Sequence, residues 1–318
     1  MAAQRDPSTW PVHHFRAMGC EMSVRRALSA AAAARPFARV ERLFVAVEQA
    51  LSRFDAQSEL SRLNARPGEW VRVSPLLWEV LESALAMAQE TGGRFDPTLL
   101  GALEAAGYGR TFGEIAAAGA VGPSSDSHRG RFREIGRRAA PREVFLPRGV
   151  RLDLGGIAKG WTAQRAVQRL RPWGPILVDA GGDLVAGDAP PGWPGWPVAI
   201  AAPSDGARPN APDLAQLWLR NAALATSGVD FRRWQVNGAT RHHIIDPRTG
   251  RPAATDLLAV TVLDQSAVRA EAWATATIVA GRERGAAALS RGQMAALFVH
   301  HDGRALMTRA MQSHMVAG

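Results

Sequence analysis

Val150-Arg-Leu-Asp-Leu-Gly-Gly-Ile-Ala-Lys-Gly160 reads as a strand, a glycine turn and the opening of a helix. Apolar residues alternate with Arg151 and Asp153, which predicts a strand from Val150 to Leu154. Gly155-Gly156 interrupts it, and a helix is expected from Ile157 to Leu170, with Ala163, Ala166, Val167 and Leu170 on its buried stripe. The stretch also suits a pyrophosphate: glycines admit a ligand close to the backbone, free N–H groups at a helix start face anionic oxygens, and Lys159 adds a full charge. The G-x-x-x-x-G-K-[ST] spacing of a Walker loop is absent. A ligand-free strand-to-helix turn has the same composition, so this segment alone leaves both readings open.

Working outward, Ile176 to Asp179 reads as a strand, and Asp179-Ala-Gly-Gly-Asp183 turns the chain into a second strand, Leu184 to Ala186. Upstream, a helix is expected from Phe37 to Leu51, with Val40, Leu43, Phe44 and Val47 on one face. Another is expected from Ser74-Pro75 to Gln89, with Ser74 as N-cap and Gly92-Gly93 as its stop. Tyr108 to Gly149 is polar and rich in Gly, Pro, Ser and Arg, so irregular structure with short strands is expected. Downstream come a proline-rich loop from Pro190 to Pro197, a strand around Arg241 to Ile245, a strand from Leu257 to Leu263 and a helix from Arg269 to Ala280. Hairpins mixed with helices argue for an α+β fold of mixed and antiparallel sheets rather than a doubly wound sheet.

The 318 residues, 47% hydrophobic, suffice for one unit that can form two lobes around a cleft, with residues 1–14 as a flexible N-terminal segment. No apolar run reaches the length of a membrane span. Ala17-Met18-Gly19-Cys20 imitates a lipoprotein cleavage site, but His13, His14 and Arg16 stand where an apolar run would be required. A cytoplasmic chain without a transmembrane segment is expected, with an exported or membrane-associated form as the alternative, and a single cysteine excludes an intrachain disulfide framework. Lys and Arg total 38, Lys159 is the sole lysine, and the net charge is +9. The arginines are scattered in ones and twos, without the basic run and interleaved aromatics of a nucleic-acid protein, so no nucleic-acid partner is expected.

Three further segments carry chemistry. In Arg241-His-His-Ile-Ile-Asp246, alternation on a strand sends only one histidine into a cleft, and His243 is the preferred general base toward a hydroxyl. Asp246 is a catalytic candidate and equally a turn-capping residue of Asp-Pro. Glu271 and Thr275 lie four apart on a helix and so can offer two oxygens to Mg²⁺, although such a pair is more often solvated surface. Phe95-Asp96 is a turn that can set an aromatic and a carboxylate near a ring system, or a helix start with Asp96 as N-cap. Met18 and Phe54 are core residues by default.

Taken in order, Met18-Gly19, Ser58 to Asn64, Gly93 to Thr98, Asp153 to Gly160, Asp179 to Asp183, Ala225 to Gly228 and His243 to Gly250 resemble the FAD:protein FMN transferase, or ApbE, family. The resemblance spans about Phe15 to Ala280. It implies an α+β fold with FAD bound as substrate in a cleft, Mg²⁺ on its phosphates, and transfer of FMN to a Ser or Thr of an acceptor flavoprotein subunit, releasing AMP. Carried over by motif, FAD contacts fall on Met18, Phe54, Arg94, Phe95, Asp96, Asp153, Lys159 and Ile244, and His243 matches the base. The metal takes Glu271, Thr275 and a backbone oxygen of Gly156. Glu271 stands where the family usually has Asp, Cys20 where it often has Thr, and Asp179 where it often has Asn. The alternative is a relative that binds FAD, or hydrolyses it to FMN and AMP, without protein transfer.

Overall fold

The computed structural model describes residues 6–27, 30–118, 130–203, 212–236 and 238–316. Its centre is an eight-stranded sheet of β1 (Val12–Ala17), β2 (Cys20–Arg26), β3 (Ile176–Ala180), β4 (Leu184–Ala186), β5 (Ala222–Gly228), β6 (Leu257–Asp264), β7 (Ala295–His300) and β8 (Ala305–Met307). Order across the sheet is order along the chain, and every neighbouring pair is antiparallel. β6 is nearly continuous in apolar residues because both its faces are covered. Ala259 and Leu263 face a cluster built with the ribbon Trp196–Ile200 and Ala215–Leu219, whereas Val260 and Val262 face Ala270, Ala274 and Ile278.

Four long helices complete the α+β fold: α1 (Ala30–Leu51), α2 (Pro75–Glu90), α3 (Ala158–Leu170) and α4 (Ala267–Ala280). α1 and α3 lay Val40, Phe44, Ala163, Ala166 and Leu170 on β1 to β4, burying one apolar face of the sheet. α2 packs on α4 through Leu77, Leu81, Ala84, Val268, Ala272 and Ala276, so the long segment between β2 and β3 is seated on the sheet's helical side. Ser74 caps α2 as expected, its hydroxyl accepting from Leu77 N–H at 3.2 Å. Ser266 does the same for α4, accepting from Arg269 N–H at 3.3 Å. No helix among the described residues is long and apolar enough to cross a membrane.

Several expectations are corrected. Within residues 6–14, Trp10 is buried edge-on between Trp193 and Trp196, and Val12 to His14 belong to β1. Helix α1 begins at Ala30, well before Phe37, and runs through Pro36. Between Tyr108 and Gly149 the expected short strands are present, Gly136–Arg138 and Glu143–Phe145, the second pairing with both the first and Trp70–Arg72, but a helix, Phe112–Ala118, is added. The proline-rich loop gives way at Trp196, which opens a strand. Val150 to Leu154 makes no ladder, only a single bridge from Arg151 to Leu99. The buried Asn64 amide takes a neighbouring strand's place, donating to Leu152 C=O at 2.9 Å and accepting from Leu152 N–H at 2.7 Å. The strand expected over Arg241 to Ile245 is split into Ala239–His242 and Ile245–Asp246, leaving His243 and Ile244 between them.

Candidate active site

The glycine loop is held from both sides. Asp153 N–H donates to Pro97 C=O at 2.8 Å, and Asp153 Oδ1 accepts from Gly155 N–H at 2.9 Å, which turns the chain sharply outward. Gly155 and Gly156 are exposed, and a Cβ on Gly156 would lie 3.0 Å from the Phe95 ring beneath it. α3 then starts at Ala158 without a side-chain cap. Backbone therefore faces solvent where a phosphate would sit, with the positive end of the helix behind it.

In the first turn of α3, Lys159 Nζ bonds to Glu271 Oε1 at 2.9 Å and to Asp183 Oδ2. Glu271 Oε2 accepts from Gly160 N–H at 3.0 Å, and Asp183 Oδ1 from Thr226 N–H at 3.0 Å. Burial works against the ammonium, yet the two carboxylates hold Lys159 charged beyond its usual range. Burial also pushes Glu271 up, and Lys159 offsets this only in part. Thr275, one helical turn after Glu271, shares a 2.9 Å hydrogen bond with Ser227 at the end of β5. Carboxylates, ammonium and hydroxyls thus converge where α3, α4 and β5 meet.

Beside the loop stands an aromatic platform. The Arg53 guanidinium lies 4.2 Å from the Phe54 ring centre and 4.5 Å from that of Tyr108, donates to Tyr108 C=O at 2.8 Å, and sits 3.5 Å from Asp153 Oδ2. Its Nη2 is buried without a partner. Phe54, 43% exposed, therefore presents one face to solvent from a fixed base. Met18 and Gly19 both take positive φ, 50° and 68°, forming the two-residue turn between β1 and β2.

His243 sits in the break between strands. His242, its neighbour, braces the turn, with Nε2 3.2 Å from Ala253 C=O and Nδ1 accepting from Ile244 N–H at 3.3 Å. His243 Nδ1 is buried without a hydrogen-bond partner. Burial, with the nearby Arg232, His242 and Lys159 charges, pushes the imidazole down to about 3, so the ring is neutral at pH 7. Arg232 also donates to Cys20 Sγ at 3.2 Å, which ties this segment to the Met18 turn.

The remaining sequence candidates lie deeper or face elsewhere. The Asp246 carboxylate accepts from Arg248 N–H at 2.9 Å and from its guanidinium at 2.7 Å, so it closes the Asp-Pro turn rather than orienting His243. Ile244 is 3% exposed and packs in the core. Phe95 is core beneath the glycine loop, and Arg94 folds back to Thr91 C=O at 3.2 Å. Asp96 is no helix cap: its Oδ1 accepts from Thr98 N–H at 2.8 Å, burial pushes its carboxyl up, and the next helix begins only at Leu100. Sequence reasoning passed over Asp183, Ser227, Arg53, Tyr108 and Arg232. Asp183 and Ser227 did lie within recognised motifs, Asp179 to Asp183 and Ala225 to Gly228.

The α+β fold thus gathers the glycine loop, the sole lysine, an acidic pair and a neutral histidine near one another. The chain belongs to the ApbE family, whose profile it matches over residues 18–298. It is 34% identical to an FAD:protein FMN transferase of Treponema pallidum, over 88% of this chain and 82% of that protein. A Vibrio cholerae protein of the same name is 31% identical over 82% of this chain and 78% of its own length. Among solved structures, the apo flavinyl transferase ApbE of Pseudomonas stutzeri superposes with a TM-score of 0.83 at 25% identity, covering 98% of each chain. The Vibrio cholerae flavin transferase ApbE gives 0.78 at 25% identity, covering 96% of this chain and 99% of that one.

Proposed function

We propose that this chain acts as a single catalytic unit, a Mg²⁺-dependent transferase that splits FAD at its pyrophosphate and joins the FMN half to a Ser or Thr hydroxyl of an acceptor flavoprotein. The acceptor oxygen forms a bond to the FMN phosphorus, the bridging P–O bond breaks, and AMP leaves with that electron pair. The observation that carries this reading is the meeting of Lys159, Asp183 and Glu271 beside the glycine loop, with a neutral His243 near enough to feel the Lys159 charge.

In this reading the loop N–H groups and Lys159 hold the pyrophosphate and stabilise charge on the departing AMP. Phe54, fixed on Arg53, and Met18 bracket the flavin end. His243 takes the acceptor's proton, and phosphates arriving beside it offset the neighbouring cations that add to burial in depressing its basicity. The donor set fits Mg²⁺: Glu271, Thr275 and a backbone oxygen of Gly156 are hard oxygens, and the first two stand one helical turn apart on α4. When bound, the ion would neutralise phosphate charge. We extend the proposal to a cytoplasmic setting, which a single free cysteine suits.

The test is incubation with FAD and Mg²⁺, with and without a Ser/Thr-bearing acceptor subunit, followed by denaturing-gel fluorescence and intact mass. A covalent FMN adduct is expected, lost in His243→Ala. FMN and AMP released with no adduct on any acceptor would mean hydrolysis instead.

A further inference from the structure

The ammonium of Lys159 can neutralise only one of the two acids it touches. The three side chains are only 16% (Lys159), 9% (Asp183) and 5% (Glu271) exposed, and burial holds Glu271 toward its protonated form. The acids are fixed and the ammonium is not. One oxygen of Glu271 is pinned by Gly160 N–H and one of Asp183 by Thr226 N–H, so each carboxylate turns its other oxygen toward Lys159. Lys159 reaches them on a flexible four-carbon stem whose compact charge serves carboxylate and phosphate equally well. Hydroxyl oxygens stand next in line: Ser227 follows Thr226 on β5 and bonds to Thr275 at 2.9 Å.

We infer that in the metal-free protein Lys159 occupies the place between Asp183 and Glu271 that Mg²⁺ takes, and that the arriving ion turns the ammonium out toward the FAD pyrophosphate. This rests on the magnesium part of the reading above and extends it. Asp183 becomes a positioning residue for the ion, and Lys159 a competitor of the ion before it is a partner of the phosphate. A divalent ion neutralises both acids where the ammonium neutralises one, so the exchange is driven by charge, and the displaced ammonium is satisfied only when phosphate is present. Metal and FAD then strengthen each other's binding by one shared factor.

The experiment is calorimetric titration of EDTA-stripped protein with MgCl₂ in the absence of FAD, on wild type, Lys159→Met and Asp183→Asn, paired with thermal unfolding with and without Mg²⁺. Removing the competing cation is expected to tighten Mg²⁺ binding by about tenfold or more, as close charge pairs of low exposure allow. Asp183→Asn, which leaves the cluster neutral, is expected to weaken it. Lys159→Met strands two buried acids, so it should melt early without metal and recover with Mg²⁺. Recovery by Mg²⁺ keeps the test readable even where that variant is too unstable to titrate. Mg²⁺ affinity in Lys159→Met at or below wild type, with a melting midpoint that Mg²⁺ leaves unmoved, overturns the exchange. Wild type that shows no Mg²⁺ binding even with saturating FAD, yet still cleaves FAD, overturns the magnesium reading itself.

Discussion

At the scale of single residues, His243 shows how position sets chemistry. An imidazole with an ordinary value of 6.5 falls to about 3 because its surroundings exclude water and already hold positive charge. The unfolded chain therefore binds this proton between pH 6.5 and 3 while the folded chain does not. Across that window the group lowers stability as pH falls, and above it the effect vanishes. His243→Gln, which cannot take the proton, is expected to lose less stability than wild type between pH 7.5 and 4.5 in urea titrations; parallel losses would show that the ring charges freely in the fold. Lys159 and Glu271 were legible as candidates, one as the sole lysine and the other from its helical spacing to Thr275. Asp183, 24 positions from Lys159, was not, because only the fold brings it against the ammonium, as it does Glu271 from 112 positions away.

At the scale of elements, what was legible is what is written locally. Ser74-Pro75 marks the start of α2 because a hydroxyl and a proline satisfy a helix end from within a few residues. The segment before the glycine loop misled because its hydrogen bonds go to the Asn64 side chain, 88 positions away, and no periodicity records that. The His242 ring likewise bonds to Ile244 N–H inside the break and to Ala253 C=O beyond the turn, interrupting a strand that alternation alone would continue. The contact of α3 with α4 depends on Gly160: a Cβ there would stand 2.5 Å from Glu271 Oε2 and 3.2 Å from Ala267 Cβ. Gly160→Ala is expected to cost about 1–3 kcal/mol by forcing extra volume into a packed contact. Denaturant unfolding measures this directly, and unchanged stability would mean that the helices separate without strain.

For the whole molecule, the sheet's plan is simpler than its sequence suggests. Each strand pairs with the next along the chain, and the α+β class follows from that meander with helices packed on one face. All of 27–175 nevertheless intervenes between β2 and β3, although those strands are hydrogen-bonded neighbours from Met22–Ala180 to Arg26–Ile176. Joining them closes the longest excursion in the sheet, so the β1–β2 hairpin carries the largest loop-closure entropy and is the part of the sheet most readily lost by sub-global opening. The Met18 turn rides on that hairpin, while the glycine loop belongs to the excursion. FAD held as proposed would bridge the two and clasp the excursion shut. Amide hydrogen exchange is therefore expected to slow most on FAD addition across residues 12–26, more than at the loop that grips the phosphates, and equal slowing at both places would mean that the hairpin was never the weak seam.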